Sequence, residues 1–234
     1  MQGKLDFGLK RCRCSAENCC NSHTSTAMSY NSNNYSPFPP LEGTAGPKKA
    51  LFIKRWGTLL NRPEGDYPEF SPELLTEGSV DSLFRATQAG WSIYLVGNED
   101  AVWSGQLESK DWERFEGELL SYLAKCGVNV TRSYACTDDP DNGIPGHRKE
   151  SVYCLPNTGA MHHARQTDHI DLGSSWVIGD ESLELTAGWR AGCLTACVVQ
   201  EGSKLDAELL TDTAFTACDL NSVLNTLVSA VRAA

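Results

Sequence analysis

Ala50-Leu51-Phe52-Ile53-Lys54-Arg55-Trp56-Gly57-Thr58 breaks abruptly from what precedes it. Four consecutive apolar residues behind Lys48-Lys49 read as a short buried strand, and Gly57 marks the turn that ends it. Helix and strand patterns then alternate. Gly78 to Gly90 predicts a helix with Val80, Leu83, Phe84 and Thr87 on its inner face. Trp91 to Val96 predicts a second strand, and Lys110 to Cys126 a helix burying Trp112, Phe115, Leu119 and Leu123. Thr131 to Cys136 and Ser174 to Ile178 read as strands separated by a helix from Gly159 to His169. A Gly179-Asp180 turn, a helix to Ala191, a strand from Leu194 to Val199 and a C-terminal helix follow. The last carries a stripe of Leu220, Val223, Leu224, Leu227, Val228 and Val231. Such alternation implies right-handed βαβ units, a mostly parallel sheet and helices on both faces. A site is then expected beyond the carboxyl ends of the strands, at Lys54–Thr58, Gly97–Asp100, Cys136–Asp139, Gly179–Glu184 and Gln200.

Residues 1–47 lack either periodicity and are rich in Ser, Asn, Pro and Gly, as in Asn31-Ser32-Asn33-Asn34 and Pro37-Phe38-Pro39-Pro40. They are expected to be a disordered or low-complexity tail, with 48–234 forming the domain. The chain has 20 Lys and Arg against 30 Asp and Glu. The tail holds four of the former and three of the latter, so the net acidity lies in 48–234. That balance argues against a general nucleic-acid binder, and no apolar run reaches the roughly 18 residues of a membrane span. Ten cysteines stand out. The N-terminus lacks the apolar core of a secretory signal, so a cytoplasmic location and mostly reduced thiols are expected. Cys12, Cys14, Cys19, Cys20 and His23 could gather zinc, although their spacing matches no common zinc motif. Met28 offers an alternative start to the chain.

The strand ends carry an order that resembles the haloacid dehalogenase (HAD) superfamily of phosphatases. Residues 50–58 are similar to its first motif, a hydrophobic strand followed by Asp-x-Asp-Gly-Thr. Gly90-Trp91-Ser92-Ile93-Tyr94-Leu95-Val96-Gly97-Asn98-Glu99 resembles the second, and Trp176-Val177-Ile178-Gly179-Asp180 with Ala187-Gly188 the fourth. Gly159-Ala160-Met161 and Ile170-Asp171-Leu172 are similar to the heptose bisphosphate and histidinol phosphatase branch. The resemblance spans about 48 to 199 and implies a three-layer Rossmann-like α/β fold with little or no cap domain.

It also implies a damaged active site. The family's nucleophilic Asp corresponds to Lys54 and its acid/base Asp to Trp56. A protonated ammonium cannot attack phosphorus, and an indole cannot relay a proton near neutrality. The phosphate-binding Thr of the second motif corresponds to Gly97, and the Lys of the third to Pro156, with Lys149 as a nearby substitute. Gly57, Thr58, Gly97, Asn98 and Lys149 are therefore remnants of a phosphate site. Asp180 and Glu184 are remnants of a magnesium site, and Asp180 could equally survive as a helix cap. Lys54 is expected to pair with Asp180 in place of the metal. The branch's zinc loop would leave Cys136, Asp138 and Cys154 as vestigial ligands, with His147 nearby.

A pseudophosphatase acting by binding or interaction follows, with no cofactor expected, magnesium only if the site is functional, and zinc as a lesser possibility. Its partner would be a small phosphorylated ligand or a protein, and the chain a monomer or small homo-oligomer. A divergent hydrolase with altered phosphomonoester chemistry, using Asp180, Glu181, Glu184 and Lys54, is the alternative; a metal or redox protein is a third. His162, His163 and His169 read as surface histidines, and Asp138-Asp139-Pro140-Asp141 as a solvated acidic loop. Trp56 is either a plug in the vacated site or ordinary core.

Overall fold

The computed structural model describes residues 48–63, 65, 67–199 and 213–232. The expected tail and its cysteine cluster, and Gln200, lie outside the described residues, as does the Val231 side chain. Six strands, β1 (Ala50–Lys54), β2 (Ser92–Asn98), β3 (Val130–Cys136), β4 (Trp176–Gly179), β5 (Leu194–Val198) and β6 (Phe215–Ala217), form one sheet in the order β3-β2-β1-β4-β5-β6. Every neighbouring pair is parallel, with Lys54 opposite Val96 and Ile53 opposite Ile178. The β1 stretch is an unbroken apolar run because both faces of a central parallel strand are covered: all five of its residues are buried.

The two faces carry separate cores. On one, Leu51, Ile53, Ile93, Leu95 and Ile178 pack against α1 (Ser79–Gln88), α3 (Ser109–Lys125) and the C-terminal α6 (Leu220–Arg232). On the other, Phe52, Tyr94, Val96 and Val177 meet α4 (Gly159–Asp168) and α5 (Ser182–Ala191). The stripe on α6 behaves as expected: Leu220, Val223, Leu224, Leu227 and Val228 are all buried. Burying side chains of this kind stabilises by roughly 1.5–3 kcal/mol each. The three-layer architecture is therefore the one that the alternating pattern implied.

One helix face is corrected. On α1 the buried residues are Ser79, Ser82, Leu83 and Ala86, whereas Phe84 is exposed. Small Ser82 and Ala86 let the helix lie close to its neighbours, and Phe84, one position round from Leu83, covers Gly127 instead. A one-turn helix, α2 (Asp100–Trp103), and the three-residue β6 were not expected; both are too short to show a period. The connections from β1 to α1 and from β3 to α4 contain, among the described residues, one 3-10 turn at Pro72–Leu74 and no further sheet. The order of strands reverses at β1, which has β2 on one side and β4 on the other. Parallel sheets open a crevice at such a point, beyond the carboxyl ends of the two strands.

Candidate functional site

Lys54 is the last residue of β1, and Asp180 follows directly on β4, so parallel pairing brings them to the same end of the sheet. The Lys54 Nζ lies 3.2 Å from Asp180 Oδ1, 2.5 Å from Glu181 Oε2 and 3.6 Å from Glu184 Oε2. The expected Lys54–Asp180 pair is present, and it is part of a larger group. Arg62, from the connection after β1, reaches back to Asp180 Oδ2 at 2.9 Å and Glu181 Oε1 at 2.6 Å. Thr58 Oγ1 donates to Asp180 Oδ1 at 3.1 Å. Two cations and one hydroxyl thus face three carboxylates.

The backbone arranges this meeting. Gly57 takes φ of +85°, and a Cβ there would lie 2.2 Å from Asp180 Oδ2, so the turn closes only without a side chain. Glu181 and Glu184 form a reciprocal capping box at the start of α5, in which Glu184 Oε1 accepts from the Glu181 amide at 2.6 Å. Glu184 is fully buried, and burial pushes its carboxyl up to about 7 against the pull of Lys54. Its Oε2 has no hydrogen-bond partner and faces the Lys54 ammonium. The helix cap is thus formed by Glu181 and Glu184, while Asp180 is held by Lys54, Arg62 and Thr58.

The other remnants fall elsewhere. Asn98 grips the backbone of Leu155, donating to its carbonyl at 3.1 Å and accepting from its amide at 2.8 Å. Lys149 is exposed, and among the described residues its ammonium forms no salt bridge. Trp56 is core: it stacks on Phe115 with centroids 5.4 Å apart, meets Tyr67 edge-on, and donates from Nε1 to Glu99 Oε2 at 3.1 Å.

A buried charge network beneath the site escaped sequence reading. Arg55, between Lys54 and Trp56, is wholly buried. It donates to Glu99, to Glu116 Oε1 at 3.0 Å and to Ser133 Oγ at 2.6 Å, and lies over the Trp112 ring. Burial pushes the Glu99 carboxyl up, while Arg55 draws it down. A Cβ on Gly97 would be 3.2 Å from Arg55 Nη1 and 3.3 Å from Glu99 Oε1. The small residue at 97 therefore makes room for this pair. A charged residue inside an otherwise apolar strand end was the available signal.

Cys136 ends β3, and Cys154 lies in the loop that follows it. Cys154 lies against Cys136, and burial first, then that neighbour, pushes its thiol up to about 12. Asp138 bonds His147 instead, with Oδ1 3.2 Å from Nδ1. Among the described residues no three His, Cys, Asp or Glu side chains are gathered as a metal site requires. Buried Cys193 and Cys197 are likewise pushed up to about 12, which makes them poor nucleophiles. Of the histidines, His163 is tied to Tyr134 and Tyr153, at 3.2 and 3.4 Å.

Magnesium does not fit the group around Lys54. That ion demands near-octahedral oxygen ligands at about 2.0–2.1 Å. Here an ammonium already lies within 3.6 Å of all three carboxylates, and Arg62 takes the second oxygen of Asp180 and of Glu181.

No family model matches the chain. Curated relatives do. The chain is 27% identical over 151 residues to D-glycero-alpha-D-manno-heptose-1,7-bisphosphate 7-phosphatase of Burkholderia mallei, covering 64% of the chain and 79% of the relative. It is 25% identical over 159 residues to D-glycero-beta-D-manno-heptose-1,7-bisphosphate 7-phosphatase of Salmonella typhi, covering 68% and 84%. The fold matches that of D,D-heptose 1,7-bisphosphate phosphatase from B. bronchiseptica, complexed with magnesium and phosphate, with a TM-score of 0.62, 22% identity and coverage of 77% and 98%. The enzyme of the same name from Burkholderia thailandensis gives 0.52, 17%, 78% and 99%. Sheet order, crevice and sequence together are similar to those of the heptose bisphosphate phosphatases. Its sequence similarity to curated proteins lies with that branch of sugar-phosphate phosphatases, which supports the resemblance to the haloacid dehalogenase superfamily.

Proposed function

We propose that this chain is a pseudophosphatase: a sugar-phosphate phosphatase-like scaffold that works by binding a small phosphorylated ligand or a protein partner rather than by phosphoryl transfer. The observation that carries this reading is the Lys54 ammonium, held within 3.6 Å of the Asp180, Glu181 and Glu184 carboxylates. It stands where the resemblance puts a nucleophile. An ammonium that donates to Glu181 and faces the Asp180 and Glu184 carboxylates has no lone pair to offer phosphorus, and Trp56, turned into the core, cannot protonate a leaving oxygen. Losing members of a catalytic unit lowers rates by roughly 10⁴–10⁶.

The test is a magnesium-supplemented phosphatase assay on a panel of sugar mono- and bisphosphates. No turnover above buffer is expected. Turnover that vanishes in Asp180→Ala would overturn the proposal in favour of a divergent hydrolase. The free thiols Cys126, Cys136, Cys154, Cys193 and Cys197 support a cytoplasmic location for this activity, which is also part of the proposal. Among the described residues no helix is long and apolar enough to cross a membrane.

A further inference from the structure

At the end of β3, the loop that follows it and the start of α3 bring three side chains into line. Ser109 Oγ lies 3.3 Å from His147 Nε2, and His147 Nδ1 lies 3.2 Å from Asp138 Oδ1. The two ring nitrogens are thus engaged separately, one by a hydroxyl and one by a carboxylate. A carboxylate on Nδ1 holds the proton there and leaves the Nε2 lone pair facing the serine hydroxyl. We propose that Ser109, His147 and Asp138 form a second, serine-hydrolase-type site that cleaves esters of short acyl chains.

The surroundings supply what such a site needs. The loop that carries His147 is fixed by its own backbone: the His147 amide donates to Ile144 at 2.9 Å, and its carbonyl accepts from Asp139 at 2.9 Å and Lys149 at 3.1 Å. The Ile144 amide anchors the loop to α2 through Trp103 at 2.8 Å. Ser109 is the first residue of the 17-residue α3, so its hydroxyl sits at the positive end of a long helix. In the first turn, the Asp111 and Trp112 amides donate to Glu108, whereas those of Ser109 and Lys110 find no acceptor among the described residues. Two unengaged amides beside a nucleophile can bind a developing oxyanion. Because Ser109 is exposed, the site orients the reacting groups but buries little substrate, which suits a short acyl chain on an activated alcohol.

In the reaction, Ser109 Oγ bonds to the ester carbonyl carbon as its proton passes to His147 Nε2, and Asp138 stabilises the resulting imidazolium. The tetrahedral oxyanion collapses, the carbon–oxygen bond to the alcohol breaks, and the alcohol leaves with the His147 proton. Water then attacks the acyl-serine as its proton passes to His147; the carbon–Oγ bond breaks, His147 returns the proton to Ser109 Oγ, and the acid is released. Ester and water become acid and alcohol, with no other reactant.

The test uses the full chain, p-nitrophenyl acetate and a fluorophosphonate probe, with peptide mass spectrometry. One adduct on Ser109 is expected, absent in Ser109→Ala. His147→Ala should slow both labelling and ester cleavage at least about 100-fold, as removal of a general base does. Asp138→Asn, which keeps the shape of the loop, should slow both about 100-fold or more by permitting the wrong tautomer. Circular dichroism checks each fold; if His147→Ala unfolds, Ser109→Ala and Asp138→Asn decide. No adduct on Ser109, or labelling at an unchanged rate in a folded His147→Ala or Asp138→Asn, would overturn the proposal and leave these bonds as a tie between loop and helix.

Discussion

Lys54 faces three carboxylates at the mouth of the sheet, and its removal takes a cation from Asp180 and Glu184, which water reaches poorly. Removing one partner from a buried ion pair costs on the order of 3–5 kcal/mol. Lys54→Met should therefore destabilise the fold by about 3 kcal/mol at pH 8 in urea titration. The loss should shrink at pH 5, where Glu184 takes up a proton and one repulsive charge disappears. Glu184 itself sets a second pH dependence. Its carboxyl is raised from 4.5 to about 7, so between those values the folded chain holds a proton that the unfolded chain has released. The contribution of Glu184 to stability therefore falls as pH rises through that window. At about 1.4 kcal/mol per unit, Glu184→Gln should gain up to about 3 kcal/mol over the unsubstituted chain between pH 4.5 and 7. A flat difference across the window would contradict this. Sequence supplied Lys54, Asp180 and Glu184 through the order of strand ends. Arg62 was invisible, because its approach depends on the path of the connection after Gly57, and no period encodes such a path.

At the scale of elements, Asn98 joins β2 to the loop that precedes α4. Both of its amide groups bond the Leu155 backbone, and a net hydrogen bond is worth about 1 kcal/mol. Asn98→Ala should cost about 1–3 kcal/mol and speed amide exchange over 150–158 more than in β1, as hydrogen-exchange mass spectrometry would show. Equal protection in both segments would mean that the loop is held by something else. The five strands with a clear apolar run, and every helix of ten residues or more, were legible to within about two residues at each end. Their burial dictates their composition. The short α2 and β6 were not, and Phe84 was assigned to the wrong face because hydrophobicity alone cannot tell a core position from a cover over Gly127.

At the scale of the molecule, the replaced positions are built into the core rather than left as gaps. Trp56 belongs to the aromatic packing of α3, and Gly97 makes room for Arg55 and Glu99. Restoring the first motif with Lys54→Asp and Trp56→Asp together would put a new carboxylate beside Glu99 and remove an indole from the core. Large-to-small aromatic substitutions of this kind cost about 3–5 kcal/mol. The double variant is expected to melt lower and to bind magnesium only weakly by isothermal titration; tight binding with an unchanged melting temperature would contradict this. The acidic balance of 48–234, visible in composition, says nothing of this arrangement, since it depends on which charges meet in space.

The tether of Lys54 to its own chain has a consequence for mass action. A protein that draws its counter-ion from solution gains stability as RT ln(1 + [L]/Kd), and loses it when the ion is withdrawn. Here the counter-ion is a side chain, present at unit stoichiometry under every condition. Melting temperatures in excess chelator and in excess magnesium should coincide, making this crevice insensitive to the divalent-ion content of its surroundings.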